Sequence, residues 1–89
     1  MQIESDPTKD AENRARHGLP LSLAGALDWD AAMVWADDRF QYDELRMIAL
    51  APKTETLYYV AFVEREAVRR IISLRRATRR EVTRYVESF

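Results

Sequence analysis

The 89-residue sequence lacks cysteine and contains a single histidine, His17. The absence of cysteine excludes disulfide scaffolds, thiolate zinc sites, iron–sulfur clusters and cysteine nucleophiles, and a lone histidine excludes a multi-histidine metal site. No apolar run approaches the ~18 residues that a membrane-spanning helix needs. We therefore expect a cytoplasmic protein without cofactor, metal or membrane contact, whose chemistry depends on arginine, carboxylate and hydroxyl side chains and on His17.

Glycine and proline are also scarce, with two and three residues. Hydrophobic residues make up 47% and charged residues 33% of the sequence, which is typical of a folded chain rather than a disordered one. A chain of this length supports one modest core, so we expect a single domain over residues 1–89. The polar, acidic segment 1–6 does not resemble a secretory signal peptide.

Charge is distributed unevenly along the chain, although the net charge is only −1. Residues 1–44 carry four basic and ten acidic side chains, whereas residues 45–89 carry ten basic and five acidic ones. From Arg65 to Arg84, eight arginines accompany two acidic residues. Because arginine binds phosphate in a bidentate fork and stacks on bases, this segment indicates contact with nucleic acid. The alternative is a solvated, arginine-rich surface.

Two short helices are predicted near the N-terminus. Asp6, which precedes a proline, is typical of a helix N-cap, and the helix is expected to run to about His17, with Gly18 as its left-handed C-terminal residue. Ser22 is predicted to cap a second short helix that ends near residues 28–30.

Four strands and a helix are predicted to follow. The strands are expected at residues 32–35, 46–50, 57–64 and 68–74. The third has apolar or aromatic residues on both faces and is expected to be central, and the short turns predict an antiparallel meander. The capping box from Thr78 to Glu81 predicts a final helix over residues 79–87, with one apolar stripe made of Val82, Tyr85, Val86 and Phe89.

The predicted fold class is therefore α+β. Two N-terminal helices precede a four-stranded antiparallel meander sheet, and one C-terminal helix follows it. A chain this short is expected to cover only one face of the sheet well with its helices.

Two motifs in this framework are distinctive. The N-terminal motif is Asp6-Pro7-Thr8-Lys9, followed by Asn13 and by Arg16-His17-Gly18. The C-terminal motif is more specific: residues 70–81 read Arg-Ile-Ile-Ser-Leu-Arg-Arg-Ala-Thr-Arg-Arg-Glu, with Tyr85 beyond them. Together they resemble the motifs of the BrnT family of toxins, and the similarity covers nearly the whole chain.

This resemblance implies a compact, RelE-like ribonuclease that acts as the toxin of a type II toxin–antitoxin system and inhibits translation and growth. It also implies a partner similar to BrnA, a small ribbon-helix-helix antitoxin that neutralises the toxin. The toxin is then expected to reach operator DNA only through this partner. A hetero-oligomer with two toxin copies is the expected complex.

The residue inventory favours metal-independent RNA cleavage, in which the 2′-hydroxyl of the substrate attacks the adjacent phosphate. We expect arginines of the last strand and of the closing helix to converge on one shared concavity, where they stabilise charge on the phosphoryl oxygens. The predicted catalytic residues are His17, Glu44, Arg70, Arg79 and Arg80. The predicted RNA-binding residues are Lys9, Tyr42, Arg46, Arg75 and Arg76.

Each of these assignments has a structural alternative. The arginines also suit ion pairs with Glu64, Glu66 or Glu81, and a histidine such as His17 in the last turn of a helix interacts favourably with the helix dipole without any catalytic role. For the whole protein, the alternative function is a catalytically inactive partner that binds the antitoxin or operator DNA. A third interpretation is a small domain whose arginine face binds an acidic protein.

Overall fold

The computed structural model describes residues 1–39, 41 and 43–89. Tyr42, a predicted RNA-binding residue, lies outside the described residues. Within them, the chain forms, in order, β1 (Gln2–Ser5), α1 (Pro7–His17), a first 3-10 helix (Leu21–Ala26), a second 3-10 helix (Trp29–Ala31), β2 (Met33–Ala36), β3 (Arg46–Lys53), β4 (Thr56–Arg65), β5 (Val68–Arg76) and α2 (Arg79–Glu87).

The strands form one five-stranded mixed sheet in the order β1-β5-β4-β3-β2. Strands β2 to β5 pair antiparallel, but β1 pairs parallel with the outer edge of β5. The prediction of a four-stranded antiparallel sheet is therefore wrong. β1 contains one apolar residue, Ile3, and no strand periodicity, so the hydrogen-bonding edge of β5 rather than the local sequence dictates its conformation. The prediction of a central strand at 57–64 is confirmed by β4.

Helix α1 begins and ends as its sequence predicts. The carboxylate of Asp6 accepts a hydrogen bond from the backbone N–H of Lys9 (3.2 Å). Gly18 closes the helix with a φ of 71°, in the left-handed region that glycine adopts without steric cost. These two caps fix Lys9 in the first turn of the helix and His17 in the last.

The predicted second helix is wrong in type, because the chain between α1 and β2 forms two 3-10 helices. Pro20, not Ser22, occupies the position before the first of them. Leu21, Ala24 and Leu27 are all buried in the core. Their spacing of three matches the three residues per turn of a 3-10 helix, which keeps such side chains on one face.

The main hydrophobic core lies between the helices that precede β2 and one face of the sheet. Phe62 of β4 and Ile71 and Leu74 of β5 are buried there. Trp29 packs edge-on against Phe62, with ring centroids 5.4 Å apart, and its indole N–H donates to the Ala24 carbonyl oxygen (2.9 Å). This core fixes the strands whose opposite face carries the charged residues described below.

Asn13 of α1 completes the edge of β5. The parallel pairing with β1 stops at Ile71. Beyond this point the buried amide of Asn13 donates to the carbonyl oxygens of Leu74 and Leu19 (both 2.8 Å) and accepts from the N–H of Leu74 (3.0 Å). A side chain therefore satisfies the backbone groups that a neighbouring strand would otherwise satisfy.

Helix α2 packs on the opposite face of the sheet and begins with the predicted capping box. The hydroxyl of Thr78 accepts from the N–H of Glu81, and the Glu81 carboxylate accepts from the N–H of Thr78. The hydroxyl of Tyr85 donates to the Ala31 carbonyl oxygen (2.6 Å). The capping box determines where α2 begins, and the hydrogen bond of Tyr85 anchors the helix near its end.

The helix covers only part of this second face. Ile48 and Leu50 are buried on it, and the guanidinium of Arg84 lies over the Trp35 ring, 4.3 Å from the centroid. The part of the same face around Val63 remains open.

Candidate functional site

An open groove of about 630 Å³ occupies the part of the sheet that α2 leaves uncovered. Its floor is one cross-strand row. Glu4 of β1 lies opposite Arg70 of β5, and Arg70 lies opposite Val63 of β4. Val63 in turn lies opposite Arg46 of β3. Because residues directly opposite each other project from the same face, all four line the groove.

Two arginines flank the apolar centre of this floor. Arg46 and Arg70 lie on either side of Val63, two strand spacings apart, which is about 10 Å. The long, flexible arginine side chain lets both guanidinium groups approach one anion above Val63. Lys9 from the first turn of α1 and Arg65 from the end of β4 add two further positive charges to the groove.

Four carboxylates balance these four cations. They belong to Glu4, Asp43, Glu44 and Glu66. The Nε of Arg70 lies 3.2 Å from a carboxylate oxygen of Glu4, and Arg65 pairs with Glu44. The hydrogen bond from Arg65 to Glu44 raises the pKa of Arg65 above its ordinary value. Because both pairs are exposed, solvent screens the attraction within each of them, and an entering anion displaces the carboxylates at low cost.

Arg75, a predicted RNA-binding residue, holds α2 on the sheet. Its guanidinium donates two hydrogen bonds to the Glu81 carboxylate (2.8 and 3.0 Å) and lies 3.9 Å from the centroid of the Tyr59 ring. Burial alone would raise the pKa of Glu81, but hydrogen bonds from Arg75 and from the N–H of Thr78 outweigh burial and hold this pKa below its ordinary value. This arginine therefore makes the ion pair that the sequence left open as an alternative.

His17, a predicted catalytic residue, is half-buried in the last turn of α1 and lies outside the described lining of the groove. Burial lowers the pKa of His17 from its ordinary value, and the positive charges of Arg16 and Arg75 lower it further. The imidazole is therefore largely neutral at pH 7. Its catalytic role stays a prediction.

Arg79 and Arg80 line a second, more open concavity on α2, together with Arg84. The expected single concavity is thus divided, because β5 is long. Six positions separate Arg70 from Arg76, about 20 Å of strand, before α2 starts. Arg76 is exposed at that far end. Catalysis by Arg79 and Arg80 stays a prediction, and the groove brings together four of the predicted residues: Lys9, Glu44, Arg46 and Arg70.

Four charged groove residues have no counterpart among the predicted site residues: Glu4, Asp43, Arg65 and Glu66. Glu4 is identifiable only once β1 is known to pair with β5. Arg65 follows Val63 at the strand spacing of two, so the alternation in β4 carries a signal for it. The predicted end of this strand at residue 64 instead leaves Arg65 in a turn.

The described part of the chain, residues 1–39, 41 and 43–89, has no helix that is both long and apolar enough to cross a bilayer. Among the same residues, no three histidine or carboxylate side chains are grouped so that they could hold a metal ion.

Fold and groove together define a small α+β protein with an arginine-lined groove suited to a phosphate-bearing ligand. A family model described as a ribonuclease toxin, BrnT, of type II toxin–antitoxin systems matches residues 6–81. The chain belongs to this family of ribonuclease toxins, which confirms the resemblance of its motifs. A toxin of this type has a protein antitoxin as its partner. Among individually curated proteins, no sequence matches the chain.

Proposed function

We propose that this toxin cleaves RNA in the groove by a metal-independent reaction in which Arg46 and Arg70 hold the scissile phosphate. The cross-strand row is the observation that carries the proposal, since it presents two guanidinium groups on one face with Val63 between them. Guanidinium groups suit phosphoryl oxygens because they donate bidentate, charge-assisted hydrogen bonds. Lys9 contributes a further cation in the same groove.

The substrate supplies its own nucleophile in this reaction. The 2′-oxygen forms a bond to phosphorus and the bond from phosphorus to the 5′-oxygen breaks, which yields a 2′,3′-cyclic phosphate and a 5′-hydroxyl. Glu44, released from Arg65 when the phosphate enters, takes the proton from the 2′-hydroxyl. Water in the open groove protonates the 5′-oxygen, and the proton on Glu44 then neutralises the hydroxide that remains. Arg46 and Arg70 stabilise the charge that develops on the phosphoryl oxygens.

In the cell, this cleavage is proposed to inhibit translation and arrest growth until the antitoxin binds. Membership of the family supports a protein antitoxin. The further parts of the proposal are that this antitoxin resembles BrnA, that it has a ribbon-helix-helix fold and itself contacts the operator DNA, and that the complex holds two toxin copies.

Incubation of the toxin with single-stranded RNA in the presence of EDTA tests the reaction. We expect cleavage to continue without divalent cations and the upstream products to end in a 2′,3′-cyclic phosphate. The matched control is a DNA oligonucleotide of the same sequence, which lacks the nucleophile and is expected to stay intact. RNA that survives in EDTA but is degraded when Mg²⁺ is restored, or cleavage of the DNA control, would contradict the proposal.

One observation favours a second function, that of a catalytically inactive partner which binds the antitoxin or operator DNA. The four carboxylates of the groove cancel its four cations, which weakens the field that attracts a polyanion. Such a protein leaves RNA intact with or without Mg²⁺ and still binds the antitoxin. The same assay therefore separates the two functions.

A further inference from the structure

Helix α2 presents an apolar stripe that the described residues, 1–39, 41 and 43–89, leave exposed. Val82, Val86 and Phe89 are 40%, 63% and 79% exposed. Val82 and Val86 are one turn apart on the same side of the helix. Phe89 follows the C-cap Ser88, whose backbone is still helical, and its N–H donates to the Val86 carbonyl oxygen (3.4 Å), so Phe89 continues this side of the helix. Tyr85, the other member of the predicted stripe, is half-buried, and its hydroxyl donates a hydrogen bond to the Ala31 carbonyl oxygen. Its ring contacts the Phe89 ring edge-on, with 4.8 Å between the centroids. The tyrosine anchors the helix, whereas the other three face outward.

The surface beside this stripe is positively charged. Arg79, Arg80 and Arg84 line an open concavity on α2, where the only described acidic side chain is that of Glu87. Arg84 is held over the Trp35 ring, and among the ion pairs of the described residues none involves Arg79 or Arg80. The helix thus combines an uncovered apolar stripe with uncompensated positive charge, in contrast to the balanced groove.

We propose that this side of α2, defined by Val82, Val86 and Phe89 with Arg79 and Arg80 beside them, binds an acidic amphipathic segment of the antitoxin. Apolar side chains of that segment cover the stripe, and its carboxylates pair with the two arginines. This proposal rests on the family membership, which implies a protein partner, and does not depend on cleavage in the groove. The apolar stripe lies beyond the residues 6–81 that the family model matches, whereas Arg79 and Arg80 lie within them.

Charge argues against a second copy of this chain as the occupant. A symmetric pairing through α2 brings the same surface of both copies into one interface, so the arginines of both copies enter it with little negative charge to offset them, which is unfavourable. An acidic segment gains from the same charges. Three apolar side chains are also far short of the ~800 Å² per partner of a standard interface, so α2 is an anchor within a larger contact rather than a complete dimer interface.

Titration calorimetry with the antitoxin encoded beside the toxin gene tests this inference. The toxin variant Val86→Asp/Phe89→Ser is expected to bind the antitoxin at least about 30-fold more weakly, the effect of losing an anchor residue of an interface. The matched control is Leu45→Ser, since Leu45 is 68% exposed and lies outside α2. We expect this control to bind within about twofold of the unmodified toxin, as scattered apolar surface residues do.

Charge-reversal variants provide a second test of antitoxin binding by α2. Arg80→Glu is expected to weaken binding about tenfold at low salt and less at high salt, whereas Lys53→Glu, at the end of β3, leaves binding unchanged. The expected pattern is weak binding by both α2 variants with thermal melts close to that of the unmodified toxin. Unchanged affinity of the Val86→Asp/Phe89→Ser variant would overturn the proposal, and so would equal losses in the Leu45→Ser control. If the α2 variants lost RNA binding or toxin dimerisation but kept their affinity for the antitoxin, the proposal would be overturned, because this surface would then bind RNA or a second toxin copy.

Discussion

Replacing Arg70 with alanine is expected to lower kcat/KM for RNA cleavage by about 100-fold, the typical effect of removing one positioned donor to a developing oxyanion. The side chain of Arg70 lies on the floor of the groove and is 62% exposed, with Glu4 as its partner. Because the charge on the phosphoryl oxygens grows in the transition state, the loss should fall on kcat as well as on KM. The measurement is the rate of cleavage of a labelled RNA under single-turnover conditions.

Three further variants make this result specific. Arg70→Lys keeps the charge but loses the bidentate fork, and an intermediate rate is expected. Lys53→Ala removes an exposed cation outside the groove and is expected to cleave within about twofold of the unmodified toxin. Arg80→Ala tests whether catalysis takes place in the groove or on α2. A larger loss of kcat/KM in this variant than in Arg70→Ala would place the reaction in the concavity on the helix. Cleavage by Arg70→Ala at the unmodified rate would remove Arg70 from the mechanism.

Replacing Asn13 with alanine is expected to lower the free energy of unfolding by about 3 kcal/mol, because buried N–H and C=O groups of Leu74 lose their partner. The amide makes three hydrogen bonds of 2.8 to 3.0 Å in the buried core between α1 and β5. For a domain of this size the midpoint of thermal unfolding should fall by more than about 10 °C. Urea unfolding followed by circular dichroism measures the change.

The neighbouring substitution Glu12→Ala is the control for Asn13. Glu12 is exposed on the same helix, and we expect its replacement to change stability by about 0.5 kcal/mol or less. Asn13→Asp retains the shape but turns a donor into an acceptor that faces two carbonyl oxygens, so it should be no better than alanine. A stability of Asn13→Ala equal to that of Glu12→Ala would show that solvent or a shift of the backbone replaces the amide.

Elements with strong local signals could be predicted from the sequence. The cap at Asp6 and the closing glycine at position 18 delimit α1, and the capping box of Thr78 and Glu81 begins α2 where expected. The apolar run of β4 predicts both its strand and its central place in the sheet. In each case neighbouring residues determine the conformation, so a single sequence contains the information.

Elements that depend on distant partners could not be predicted. β1 has almost no apolar content and becomes a strand because β5 offers it an edge. The composition of the groove depends on the same pairing, because only the parallel register of β1 and β5 places Glu4 opposite Arg70. The length of β5 has a similar effect, because it carries Arg79 and Arg80 away from the groove although they are close to Arg70 in sequence.

Carboxylates paired with the groove arginines have a consequence for substrate binding. RNA must displace Glu4 from Arg70 and Glu44 from Arg65, and solvent screens both of these exposed pairs. The balanced charge therefore weakens long-range attraction of RNA more than it weakens contact at close range. Displacement also frees Glu44 for the 2′-hydroxyl.

Titration of ¹⁵N-labelled toxin with a 2′-O-methyl RNA oligonucleotide, which binds but offers no nucleophile, measures most directly where RNA lies. We predict that the largest amide chemical-shift changes fall in the end of β4 and the first half of β5, around Val63 and Arg70. Amides of α2 should change little. Shifts concentrated in α2, with the strands of the groove unaffected, would contradict the central claim that the groove holds the scissile phosphate.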